Sequence, residues 1–170
     1  MTMNKTRAAV ALAAVAAIPL AFAAPAQAST TRSGCTVTPK APYFAGTYTA
    51  ANVPQVYYPV DISCVGGAPT AVTVELNLQT WEQDLTGRAG DVDANGVNNA
   101  DEDRIGSGSA SRYFTTAGGS TTVNFLGTLP HTDTDSNEEI YDKTQFRVIS
   151  GAVKGAWTNF EFSPVTKIWW

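Results

Sequence analysis

A single histidine and two cysteines in 170 residues leave little material for transition-metal chemistry. Hydrolytic zinc sites draw on several histidines, so they are excluded, and a metal site made by two lone cysteines is disfavoured. His131, at a Pro130-His131 turn, is also isolated as a base. A hydrolytic triad needs a nucleophile beside the histidine and a carboxylate behind it, and the chain has no G-x-S-x-G elbow. Past residue 28 no run reaches the eighteen or so apolar residues of a spanning helix. No window of eleven residues or more in that region carries a helical period. Basic charge is scarce as well. Setting aside Lys5 and Arg7, the 11 Lys and Arg fall to 9 against 15 Asp and Glu, a net charge of −6. Such a surface disfavours nucleic acid and anionic lipid as partners.

What is present begins with an export signal. Lys5 and Arg7 form a positive n-region, an alanine-rich apolar run follows from Ala8 to Ala24, and Ala26-Gln27-Ala28 supplies a small-residue cleavage pattern. Residues 1–28 are expected to be removed, leaving residues 29–170 as one secreted, extracellular domain with no membrane insertion. In that compartment Cys35 and Cys64, the two cysteines, are expected to pair. A Gly34-Cys35 lipoprotein site is disfavoured because Arg32 stands where an aliphatic residue belongs.

The acids are unevenly placed. Asp91-Val92-Asp93-Ala94-Asn95-Gly96, followed by Glu102, resembles the twelve-residue calcium loop of EF-hand and dockerin proteins. Calcium takes six to eight hard oxygen ligands, so a short loop must wrap its donors around one point. The resemblance implies calcium held by Asp91, Asp93 and Asn95, the Val97 carbonyl, a water on Asn99, and Glu102 as a bidentate closing ligand. Gly96 permits the sharp turn. Glycines at 87, 90, 106 and 108 oppose flanking helices, so the loop is expected between strands. The competing reading is a solvated hairpin turned by Asn95-Gly96. A second acidic run, residues 133–142, repeats D-x-D-x-N at Asp133 to Asn137 but lacks the glycine and the closing carboxylate. It reads as a solvated loop, the alternative being that the two acidic loops share cations at one end of the sandwich.

The rest of the chain reads as strands. Val72, Val74, Leu76 and Leu78 alternate with polar residues, and the pattern loses phase near Thr80-Trp81, where a bulge or a change of sheet is expected. In the Val56–Cys64 run, Tyr58, Val60, Ile62 and Cys64 share one face, and Pro59 predicts an edge or a break. Many short strands between Gly, Pro and Asn turns predict an all-β, antiparallel β-sandwich of immunoglobulin-like type, with one disulfide and a long acidic inter-strand loop. Trp81 follows both cysteines, so the immunoglobulin Cys…Trp…Cys order is absent. The disulfide is expected to tie an N-terminal strand to its neighbour.

The expected function is non-catalytic binding of a protein or carbohydrate, with calcium rigidifying a long loop. The alternative is a secreted inhibitor of an extracellular hydrolase, presenting residues 84–105 or 127–141. A small carboxylate-dependent hydrolase ranks third, because it needs two acids at controlled separation across a cleft. Trp81, Trp157 and Trp169 are expected to fill the core. Strand alternation then leaves Trp170 as the candidate external contact. The alanine-rich leader ahead of a compact domain resembles bacterial, specifically actinobacterial, exported proteins.

Overall fold

The computed structural model describes residues 29–83, 102–129 and 137–169. Among these there are eleven strands and no helix: β1 (Thr30–Arg32), β2 (Cys35–Pro39), β3 (Tyr43–Tyr48), β4 (Pro54–Cys64), β5 (Val72–Gln83), β6 (Glu102–Phe114), β7 (Gly119–Thr128), β8 (Asn137–Ser150), β9 (Val153–Lys154), β10 (Glu161–Phe162) and β11 (Thr166–Trp169). They form two antiparallel sheets. In the first, β1 pairs with β2, β4 lies between β2 and β7, and β3 pairs with the other half of β4. In the second, β5 lies between β6 and β8, and the short strands β9, β10 and β11 pair with β8.

Strand alternation builds the core. Val56, Tyr58, Val60 and Ile62 of β4 meet Val74, Leu76 and Leu78 of β5 and Ile140, Phe146 and Val148 of β8 in one buried cluster. Each such aliphatic side chain contributes roughly 1.5–3 kcal/mol when fully buried. Cys35 and Cys64 are register partners on β2 and β4 and form the disulfide, as the sequence predicts.

Three expectations are corrected. First, β4 is an interior strand, not an edge. Pro59 is tolerated because its neighbour changes there: β3 pairs up to Tyr57, and β2 pairs from Val60. The Pro59 carbonyl accepts from Lys40 N (2.8 Å) on that side, so the missing donor faces the junction. Second, the irregularity expected near Thr80-Trp81 is present, but its extra residue is on β6 and β5 does not lose phase. Thr80 pairs with Gly106 and Trp81 with Arg104, so the irregularity leaves Ile105 of β6 without a partner on β5. Thr80 and Glu82 keep pointing inward and are buried. The interior becomes polar, and the strand keeps its phase. Third, the second acidic run is only partly loop. Glu138, Glu139 and Asp142 belong to β8 and are 0%, 4% and 0% exposed.

Candidate functional site

The predicted calcium ligands Asp91, Asp93, Asn95, Val97 and Asn99 lie outside the described residues, as do His131, Trp170 and residues 1–28. Glu102 opens β6 and pairs with Gln83, the last residue of β5. The segment proposed to hold calcium therefore connects two paired antiparallel strands. The loops proposed for an inhibitor, residues 84–105 and 127–141, are described only at their strand ends.

No tryptophan belongs to the core cluster of described residues. Trp169 is 69% exposed and Trp157 37%, against the expectation that they fill the interior. Isoleucine, valine and leucine together with Tyr58, Phe114 and Phe146 fill the inward volume, and the tryptophans lie outside that cluster.

Those two outer faces differ. On the second sheet, Lys143 of β8 stands over Trp81 (4.0 Å to the ring centroid), with Phe162 at 5.4 Å and Tyr141 at 5.5 Å. Arg147 covers Trp157 at 4.7 Å and donates from Nε to Glu75 at 2.6 Å. These rings are already occupied by the protein's own cations. On the first sheet, Tyr43 of β3 is the register partner of Tyr57 on β4, and Tyr57 is the partner of Leu126 on β7. The Tyr43 and Tyr57 rings lie 5.6 Å apart. Tyr43 is 47% exposed and Leu126 52%. Strands spaced about 4.8 Å apart make this row roughly 10 Å long. Gln55 and Thr128 flank it on one side, Pro59 and Asn124 on the other. The charges further along β4 are paired: Asp61 meets Lys40 at 3.3 Å and accepts from the Thr122 hydroxyl at 2.6 Å. The row is an apolar, aromatic stripe in a neutral hydrogen-bonding field. Tyr57 and Tyr58 stand on opposite faces of β4, a signal visible in the sequence, but alignment with Tyr43 and Leu126 depends on strand pairing.

Between the sheets, one end of the interior is polar. Tyr58 from β4, Thr80 and Glu82 from β5, and Asp142 and Thr144 from β8 are all buried there. Thr80 and Asp142 are register partners. Thr144 donates to Asp142 Oδ2 at 2.8 Å, and Ser163 Oγ accepts from the Asp142 amide at 2.8 Å. Asp142 Oδ1 and the Tyr58 hydroxyl have no hydrogen-bond partner among the described residues. Burial pushes the Asp142 carboxyl up to about 7, against the opposing effect of the Thr144 and Ser163 hydroxyls. Burial also raises the Tyr58 phenol, and the Asp142 carboxylate adds to that rise, while Thr80 acts the other way. Tyr58 and Thr80 line a groove of about 320 Å³ between β6 and β7, the outermost long strands of their sheets. Neither Asp142 nor Glu82 belongs to its wall.

No known protein family matches the chain, and no curated protein matches it.

Proposed function

We propose that the chain is a secreted, non-catalytic recognition domain, an immunoglobulin-like β-sandwich, that binds a neutral glycan on the outer face of its first sheet. The row Tyr43–Tyr57–Leu126 carries this reading. Flat aromatic and aliphatic faces stack on the C–H faces of sugar rings, and the amides and hydroxyls of Gln55, Asn124 and Thr128 suit sugar hydroxyls. A protein interface favours a larger apolar centre inside a polar rim, and three apolar residues make a small one. The Cys35–Cys64 disulfide supports an oxidising, extracellular setting.

Calcium belongs to the proposal through the Asp91–Glu102 spacing alone. Its role is to rigidify the β5–β6 connection at the 10⁻⁴–10⁻³ M affinity of extracellular modules. Calcium is expected to raise the melting temperature of the wild type and not of the Asp91→Ala/Glu102→Gln variant; equal responses would remove calcium from the account.

The glycan reading is tested by co-sedimentation with cellulose and chitin and by affinity electrophoresis in xylan. Retention on one of them, weakened about tenfold or more by Tyr57→Ala, supports it, a loss of roughly 1.4 kcal/mol. No retention on any of the three, or retention untouched by Tyr57→Ala, rejects it.

A further inference from the structure

The two sides of the sandwich are finished differently. On one side the sheets end in short strands: β1 and β3, of 3 and 6 residues, in the first sheet, and β9, β10 and β11, of 2, 2 and 4 residues, in the second. On the other side they end in the long strands β6 and β7. A free edge strand offers a row of unpaired backbone N–H and C=O groups, and proteins blunt such edges with short length, charge, proline or a bulge. β6 is blunted twice over, because Ile105 lacks a partner on β5 and the strand carries Arg104 and Arg112. β7 has none of these devices. Its 10 residues, Gly119–Thr128, include no charge and no proline and follow β4 without a register shift. Among the described residues β7 pairs with β4 alone.

Alternation along β7 is strict. Val123 and Phe125, the partners of Val60 and Tyr58, face the interior, and Val123 is buried while Phe125 is partly so. Asn124 and Leu126 face outward and are exposed. The strand therefore offers an apolar pair on its inner face and neutral groups on its outer face.

We infer that β7 is the contact through which two copies of this chain pair, edge to edge and antiparallel, about a two-fold axis at Asn124. Such an axis stands normal to the sheet, so every side chain stays on its own face. Asn124 then meets Asn124, amide to amide. On the inner face Val123 meets Phe125, apolar to apolar, twice by symmetry. Residues 120–128 all find partners, and no like charges are opposed because the strand has none. An axis at Val123 would set Phe125 against Thr121, and one at Leu126 would leave residues 120–123 unpaired. The occupant is a second copy because β7 complements itself in this register. A closed two-fold contact uses both β7 edges, so it stops at a dimer and does not grow into a filament. It also places both copies' Tyr43–Tyr57–Leu126 rows on the same side of one continuous sheet. The pairing does not depend on what those rows bind.

The test is the mass of the protein in solution, by sedimentation equilibrium from micromolar to millimolar concentration. Wild type is compared with Asn124→Lys, Asn124→Asp and an equimolar mixture of the two variants. Asn124 is exposed, so neither change should disturb the fold, which a thermal melt checks. Wild type is expected to reach twice the monomer mass. Each variant alone should dimerise about tenfold more weakly or worse, because like charges meet on the axis. The mixture should recover the dimer, because opposite charges then meet there. A wild type that stays monomeric at every concentration overturns the assignment, whatever else it binds. A dimer that both variants retain at wild-type strength overturns it too, since the contact then lies elsewhere. So does a mixture that dimerises no better than its components.

Discussion

The two sheets share one core but hold their polar groups differently. The first is apolar within, Tyr58 excepted, cross-linked by Cys35–Cys64, and neutral around its exposed tyrosines. The second carries charge on both sides: Glu82, Glu138 and Asp142 face inward, while Lys143 and Arg147 cover its outer aromatics. Aromatic residues on a strand therefore do not by themselves mark a binding face. What separates the faces is whether the chain has already supplied a partner to the ring. On the second sheet the Trp81, Tyr141, Phe162 and Trp157 rings carry the protein's own cations and contribute to stability, with Tyr113 and Trp169 left exposed, while on the first sheet Tyr43 is exposed beside Tyr57.

The largest expected effect breaks the first sheet's cross-link. The disulfide closes a loop of sequence separation 29, and Cys35→Ser/Cys64→Ser should cost roughly 3–4 kcal/mol in the chain-entropy picture. Denaturant unfolding should show that loss equally at pH 5 and pH 8, because no titrating group is involved.

Asp142 is expected to behave in the opposite way. Its folded pKa, about 7, is above the unfolded value, so folding takes up a proton between those two values. The stability it contributes is complete below pH ~4 and falls as pH rises toward 7. Asp142→Asn should flatten that dependence and stabilise by on the order of 2–3 kcal/mol at pH 8, with little change at pH 4. A wild-type stability that rises from pH 4 to 7 through this residue would contradict the assignment.

Smaller effects sharpen the contrast between the outer faces. Lys143→Ala should destabilise by about 1–2 kcal/mol through lost cation–π contact with Trp81, Tyr141 and Phe162, and leave glycan binding unchanged. Trp169→Ala, at a residue that is 69% exposed, should move stability by less than about 0.5 kcal/mol by thermal melting.

The sequence carries some of this plainly. Alternation in Val72–Leu78 reports a half-buried strand because apolar side chains recur with the period of the pleat. The pairing of the two cysteines, Cys35 and Cys64, is legible from their number alone. Other features are not local. Glu138 and Asp142 look like solvated acids, and only the packing of β8 against β4 and β5 buries them. Much of β6 is glycine, serine and alanine, poor strand formers held by twelve paired positions on β5. The row Tyr43–Tyr57–Leu126 is assembled from three strands, so no stretch of sequence contains it. The size of the tryptophans suggests a core role, whereas the core of described residues fills with aliphatic residues and with Tyr58, Phe114 and Phe146.

The most direct measurement is an equilibrium titration of the protein with cellohexaose and chitohexaose, beside Tyr43→Ala/Tyr57→Ala and Lys143→Ala. The account predicts that wild type and Lys143→Ala bind one of these sugars alike, and that the double tyrosine variant stays folded and binds it at least tenfold more weakly. Equal binding by wild type and the tyrosine variant, or loss of binding in Lys143→Ala alone, would contradict it and move recognition to the second sheet.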